Sequence, residues 1–140
     1  MTRIFLAAAA TVSLTACAAV PPPTVPPPPP CAVAGSSDWN AWINKMPGPG
    51  ARPTLHVTGK VTTPTGGYTV GFDQPLQVRE SFPVQVVVTL QAAPPAGAAT
   101  QAIVTHDVRG QWPMDAAVGS VEVRCGTQTL ATIAPVPEAN

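Results

Sequence analysis

Three cysteines are the side chains of this sequence whose type and position best suit them for chemistry: Cys17, Cys31 and Cys125. A cysteine thiol can carry a lipid, join a disulfide or bind a metal ion. The two histidines of the chain, His56 and His106, do not lie at ligand spacing to a cysteine. We therefore expect no metal site, and we expect no other cofactor.

Cys17 closes an N-terminal segment that has the composition of an export signal. Arg3 is its lone positive charge, and Ile4–Leu14 is an apolar run too short to span a bilayer. The segment ends in Leu-Thr-Ala-Cys, which resembles a lipobox, where signal peptidase cuts before the cysteine and the cysteine is acylated. We therefore predict a lipoprotein signal peptide over residues 1–16 and a palmitate-type anchor on Cys17. An ordinary signal peptide or a buried apolar helix is the alternative.

Residues 17–30 comprise the predicted lipidated cysteine and a proline-rich tether. Eight of the ten residues of Pro21–Pro30 are proline, and such runs adopt extended polyproline II at about 3.1 Å per residue. The tether then reaches roughly 30 Å and lifts the next domain off the lipid headgroups. A ligand for an SH3 or WW groove is the alternative. Ala18 rather than Asp follows the cysteine, which, by similarity to sorting in two-membrane bacteria, favours the outer membrane, with the domain facing the periplasm.

Cys31 and Cys125 remain for a disulfide in this exported, oxidising setting. They bracket almost the whole folded part and would close a loop of about a hundred residues, for which a disulfide contributes up to about 4.7 kcal/mol. Two free thiols or a two-cysteine metal site are the competing interpretations.

The folded part, residues 31–134 with a tail at 135–140, is predicted to be one β domain. Apolar residues alternate with polar ones from Leu55 to Val61 and again from Tyr68 to Phe72, on either side of a Pro/Gly turn. This pattern predicts a β-hairpin. Its turn contains Pro64, Gly66, Gly67 and Tyr68, and one of the two glycines is expected to have positive φ.

Further strand patterns follow along the chain and predict six or seven antiparallel strands. We expect a small antiparallel β-sandwich or partly open barrel. The further predicted strands are a short one at Leu76 and Val78, then Phe82–Leu90 with Phe82 on its buried face, Gln101–Val108, Val118–Cys125 and Thr129–Ile133.

One short N-terminal helix is predicted over Asp38–Met46, because Trp39, Trp42, Ile43 and Met46 have the i, i+3, i+4, i+7 spacing of one helix face. A helix packed on the sheet is the simpler interpretation, and a carbohydrate-stacking pair of tryptophans is the other. With Trp112, placed in a predicted loop at Arg109–Ala117, the two tryptophans form the candidate binding surface: Trp39, Trp42 and Trp112.

Catalytic patterns are sparse in this sequence. The seven acidic residues are scattered, and His106 and Asp107, as strand neighbours, point to opposite faces. No serine lies in a G-x-S-x-G elbow, and no P-loop lysine follows Gly66-Gly67. Seven Lys and Arg balance seven Asp and Glu, which argues against a nucleic-acid partner. We therefore expect no enzyme activity.

The stretch Pro64–Tyr68, followed by Thr69-Val70, resembles the PTGGYS motif of the PrcB C-terminal domain family. Pro94, Gly97 and Thr100-Gln101 follow in the order of that family's Pro, Gly and Thr-Gln positions, while its next proline has no counterpart. The resemblance implies a small β domain on an exported lipoprotein with an accessory, non-catalytic role. A tight turn would require the same motif residues whatever the function.

Two functional hypotheses follow from this sequence. The first is an envelope-anchored, non-catalytic protein-binding or accessory module whose partners are the membrane, through its lipid, and another envelope protein. The second is an inhibitor of an envelope or incoming hydrolase, of protease or lysozyme type, with Gln91–Thr100 or Arg109–Met114 as the inserted loop. The first hypothesis predicts a broad apolar patch on an edge strand or around the tryptophans. The second predicts a protruding, rigid loop with little else exposed.

Overall fold

The computed structural model describes residues 30–140, so the predicted signal peptide and the predicted lipidation site Cys17 lie outside the described residues, as does all of the predicted tether except Pro30. The described part contains nine strands and no helix. No segment of residues 30–140 is therefore a helix that could cross a membrane. The strands are β1 (Gly35–Asn44), β2 (Thr54–Thr63), β3 (Thr69–Phe72), β4 (Gln77–Arg79), β5 (Val84–Ala93), β6 (Val104–Pro113), β7 (Val118–Cys125), β8 (Gln128–Ile133) and β9 (Glu138–Ala139).

The strands form two sheets, neither of which closes into a barrel, and the predicted sandwich-like β fold is confirmed. The first sheet has the order β6-β2-β1-β9, and the second has the order β3-β5-β7-β8, with β4 beside β3 along β5. Two pairings correct the antiparallel prediction, since β1–β9 and β5–β7 are parallel. The residues expected as a tail contribute β9, and Val136 is buried there.

The core lies between the two sheets and follows the alternation of apolar residues. In β2 the odd-numbered residues are buried and the even-numbered ones are partly or fully exposed. Each fully buried aliphatic side chain contributes about 1.5–3 kcal/mol. The fully buried aliphatic side chains are Ile43, Leu55, Val57, Val61, Val86, Val88, Leu90, Val121 and Val123.

The predicted helix at Asp38–Met46 is wrong, because this segment forms most of strand β1. Trp39, Ala41 and Ile43 alternate toward the core, and their neighbours face outward. A β-bulge between Ser37 and Asn40, with Asp38 at φ 55°, makes this alternation possible. The bulge inserts the extra residue that turns Trp39 inward, across Gly59 of β2.

Gly59→Ala tests this packing. The added methyl group would overlap the six-membered ring of Trp39, so we expect the free energy of unfolding to fall by about 1–3 kcal/mol. Gly71→Ala in β3 is the matched control, because a methyl group there meets nothing within 4 Å. Chemical denaturation measures both, and equal stability of the two variants would contradict the inward position of Trp39.

The predicted hairpin between β2 and β3 is also wrong. Both edges of β2 are occupied, by β1 and β6, so β3 pairs with β5 in the other sheet and the Pro/Gly turn crosses between the layers. The turn chemistry itself is as expected: Gly67 has φ 79°. Its neighbour Gly66 donates its N–H to the Thr100 carbonyl at 2.9 Å. Tyr68 is half-buried just before β3.

The sandwich has two ends, and the predicted disulfide marks one of them. Cys31 and Cys125 are bonded, which confirms the pairing, with their Cα atoms 5.1 Å apart. We call this end of the sandwich the "disulfide end" and the opposite one the "far end". The directions of the strands show at which end each connecting segment lies. The disulfide end contains residues 31–34, 64–68, 94–103 and 126–127, and the far end contains residues 45–53, 80–83, 114–117 and 134–137.

Candidate binding surfaces

The three tryptophans of the predicted binding surface do not form one surface. Trp112 is 4% exposed and lies in the core, with its ring edge-on to Phe72 at a centroid distance of 5.5 Å. Trp39 also packs inward, 6.2 Å from Phe72. The loop expected to carry Trp112 is part of strand β6, so Arg109–Met114 is not an insertable loop.

Trp42 is the tryptophan on the outer face of the first sheet. Its ring stacks on His56, the opposite residue of β2, with centroids 5.0 Å apart and planes within 8°. Around this pair the face is polar. Its members are Asn40, Trp42, Asn44, His56, Thr58, Lys60, Asp107, Arg109 and Gln111. The broad apolar patch expected around the tryptophans is therefore not found on this face.

Charges on the same face are arranged along β1, β2 and β6. Lys60 Nζ lies 2.9 Å from Asp38 Oδ2. The hydrogen bond that Lys60 donates to this carboxylate, together with the negative charge of the carboxylate, raises the pKa of Lys60 above its usual value. Lys60 remains a cation at neutral pH, so it cannot serve there as a general base. Asp107 and Arg109 on β6 are exposed and form no ion pair within residues 30–140.

A shallow cleft of about 330 Å³ lies on the second sheet. On this edge β3 pairs with residues 90–93 of β5 and β4 pairs with residues 85–87, so neither strand covers the part of β5 between them. Its charged groups, Asp73 and Arg124, already have partners. Asp73 accepts hydrogen bonds from the Gln74 N–H at 3.0 Å and from Gln91 Nε2 at 3.3 Å. Arg124 Nε lies 3.2 Å from a Glu122 oxygen.

The same glutamate binds a second arginine beside the cleft. Glu122 Oε2 lies 3.2 Å from Arg79 Nη1, and Thr129 donates its hydroxyl to Glu122 Oε1 at 2.8 Å. Glu122 therefore contacts two arginines and a threonine hydroxyl at once. Across the described part of the chain, no three Asp, Glu, His or Cys side chains converge as metal ligands.

Phe82 is the most exposed large apolar side chain of the described residues, at 95%, and it lies at the far end between β4 and β5. Its base is fixed. Pro83 packs on Gly119, where a Cβ would lie 2.6 Å from the proline ring. Ser81 Oγ donates to the Pro83 carbonyl at 2.8 Å, and Val84 N–H donates to the Ala117 carbonyl at 2.9 Å. The structure thus presents an aromatic ring to solvent from an anchored loop.

Phe82 was expected on the buried face of β5, and this prediction is wrong. The strand begins at Val84, after Pro83, whose missing N–H prevents a regular ladder at that point. The Phe-Pro pair was the sequence signal for a strand boundary. Two further apolar side chains are exposed on this side of the molecule, Met46 after β1 and Val78 on β4.

The loop Gln91–Thr100, proposed as an inserted loop, is shorter in the structure because β5 continues to Ala93. The remainder folds back on the turn at Gly66-Gly67, with Pro95 against Gly67 and Thr100 hydrogen-bonded to Gly66. This segment lies at the disulfide end.

Comparisons of the chain with protein-family models, characterised proteins and solved structures found no match. The resemblance to the PrcB C-terminal domain stays a prediction.

Proposed function

We propose that this protein is a lipid-anchored envelope protein whose β-sandwich is a non-catalytic binding module for another envelope protein. The single observation that carries this proposal is Phe82, a fully presented aromatic ring on a loop whose base is held by Pro83 and Gly119. Buried aromatic anchors dominate the energy of protein interfaces. An anchor that is already fixed before binding loses little conformational entropy when it docks.

The position of Phe82 agrees with an anchored domain. The tether enters the sandwich at Cys31, which the disulfide joins to the end of β7. Phe82 lies at the far end, about one ten-residue strand away, or roughly 33 Å. A lipid on Cys17 would therefore tether the domain through its disulfide end, and Phe82, at the other end of the strands, would stay accessible to proteins of the periplasm.

An inhibitor of an envelope or incoming hydrolase is the second candidate, and the same loop favours it. A single exposed aromatic on an anchored base fits insertion into an apolar specificity pocket. Under this alternative the captured partner is a hydrolase, and its activity falls in proportion to the complex formed.

Cys17→Ser tests the anchor. Because the acyl chains have no other attachment point, we expect the variant to incorporate no clickable palmitate and to leave the membrane fraction. Cys125→Ser, which removes a cysteine assigned to the disulfide, should still be labelled. Equal labelling of Cys17→Ser and the unchanged chain would contradict the lipoprotein proposal.

Phe82→Ser tests the binding module. With the ring removed from an already exposed position, we expect an unchanged melting temperature and capture of the envelope partner weakened about thirtyfold, the equivalent of roughly 2 kcal/mol. Ile103→Ser is the matched control, since Ile103 is 73% exposed at the disulfide end. The readout is quantitative mass spectrometry of partners retained from detergent-solubilised envelope. An unchanged partner profile for Phe82→Ser would refute the role of Phe82.

A further inference from the structure

Strand β6 is the longest edge strand of the described part and has one free side. It pairs only with β2, over ten residues and without a bulge. The pairing continues beyond the strand, where Met114 N–H donates to the Pro53 carbonyl at 2.8 Å. In an antiparallel ladder, residues that exchange hydrogen bonds with the partner strand alternate with residues whose backbone groups point away.

This alternation identifies the free backbone groups of β6. Since Met114 bonds toward β2, the even-numbered residues of β6 do the same. The odd-numbered ones direct their N–H and C=O groups outward from the sheet edge. Within residues 30–140 no strand other than β2 pairs with β6, and the side chains of these odd-numbered residues are exposed. They are Thr105, Asp107, Arg109 and Gln111.

An exposed edge of this length is a template for another strand unless bulges, prolines or a covering segment block it. Pro113, the last residue, is the only proline of β6. Phe72 of β3 packs on the core side of the strand, against Trp112, and leaves the side chains of the outer face exposed.

We infer that β6 pairs with β6 of a second copy of this chain, antiparallel about Val108, to form a symmetric dimer. This register places Asp107 opposite Arg109 of the second copy, and Arg109 opposite its Asp107. Thr105 then faces Gln111 of the second copy. All of these residues have outward backbone groups, so each opposed pair forms ladder hydrogen bonds. The surface is complementary to itself, as a two-fold interface requires.

The two charges also select the register. A shift of two residues in one direction places Asp107 opposite Asp107, and the opposite shift places Arg109 opposite Arg109. Like charges directly opposed across strands are destabilising, whereas opposite charges stabilise the pair. Neither side chain forms an ion pair within residues 30–140: Lys60, which lies opposite Asp107 on β2 and is influenced by its charge, forms its ion pair with Asp38.

The dimer joins the two first sheets into one continuous sheet of eight strands and brings the disulfide end of one copy beside the far end of the other. The two Phe82 side chains then lie at opposite ends of the assembly. The predicted tether of roughly 30 Å is long enough for both copies to reach one membrane with their strands parallel to its surface.

Charge reversal tests the dimer on the mature full-length protein in detergent, by sedimentation equilibrium at matched detergent density. We expect the unchanged protein to be dimeric. Asp107→Arg and Arg109→Asp should each dimerise at least about tenfold more weakly, since each opposes like charges at two symmetric positions. An equimolar mixture of the two variants should regain the dimer, because every opposed pair is again of opposite charge.

Two further proteins complete the test. The double variant Asp107→Arg/Arg109→Asp should dimerise like the unchanged protein. Glu80→Arg, the same charge reversal on the β4–β5 loop, should have no effect. A monomeric unchanged protein would overturn the inference, as would reversals without effect or a mixture that stays monomeric.

Discussion

Removing the disulfide with Cys31→Ala/Cys125→Ala should lower the free energy of unfolding by up to about 4.7 kcal/mol, the chain-entropy value for a closed loop of about 100 residues. The two cysteines are 94 residues apart, so the crosslink restricts nearly the whole unfolded domain. Cys125 is also 3% exposed in the core, and truncating it adds a small packing loss. Urea denaturation of the double variant and the oxidised protein measures the difference.

A second comparison separates the crosslink from the packing. The unchanged protein, kept reduced without alkylation, loses the crosslink but keeps both cysteine side chains, and both it and the double variant should show a lower denaturation midpoint than the oxidised protein. A double variant within about 1 kcal/mol of the oxidised protein would contradict the stabilising role of this bond, since native disulfides of small exported domains typically contribute 2–5 kcal/mol.

Trp112→Ala should destabilise the domain by about 3–5 kcal/mol, as large aromatic truncations in cores do. The ring lies over Gly110, where even a methyl group would overlap it, and edge-on to Phe72. Because the side chain is 4% exposed, the variant loses buried contacts and leaves a cavity between the sheets. Thermal and chemical unfolding measure the effect.

Trp42→Ala is the matched control for Trp112→Ala. The Trp42 ring lies on the outer face and stacks on His56, so its removal should cost only about 1 kcal/mol, the scale of one cross-strand pair. If Trp112→Ala melts normally and loses partner capture, the residue belongs to a binding surface and its position in the core is wrong.

The β character of the fold could be predicted from the sequence because the alternation of apolar and polar residues is strong. Val118–Cys125 was predicted with the bounds that β7 has, and Thr129–Ile133 differs from β8 by one residue. The disulfide was predictable because Cys31 and Cys125 were the two cysteines left once Cys17 was assigned to a lipid. Each of these inferences uses local pattern or cysteine arithmetic, and neither requires knowledge of which strands meet.

The helix was predicted wrongly because two periods coincide in one segment. Trp39 and Ile43 are four apart, which fits a helix face, and both also face inward in a strand. Trp42, which completed the helical stripe, is on the outer face. The bulge at Asp38 brings both Trp39 and Ile43 to the inner face of a strand. It could not be predicted from the sequence, because the residue with positive φ is an aspartate and not a glycine.

Which strands pair with one another could not be predicted from the sequence, for a different reason. A Pro/Gly turn between two alternating segments predicts adjacent strands, but β2 already has a neighbour on each edge. The position of β3 is therefore set by contacts far along the chain, with β5. The tryptophans could not be ranked as buried or exposed for the same reason, since the burial of Trp112 depends on Phe72 and Gly110.

The candidate contact Phe82 was missed because its neighbours in sequence, Val84 and Val86, continue an apolar alternation. Extending that alternation one step back places the ring in the core. Pro83 ends the ladder before Phe82 and packs on Gly119 instead. A proline at the edge of an alternating run is thus better evidence for the strand boundary than the run itself.

Site-specific photo-crosslinking in intact cells tests the proposed binding role most directly. A photoreactive benzophenone analogue of phenylalanine replaces Phe82 in the full-length protein, and the same analogue at Ile103 is the control. We expect a light-dependent adduct with another envelope protein at position 82 and none at position 103. No adduct at position 82, or the same adducts from both positions, would contradict the proposed role.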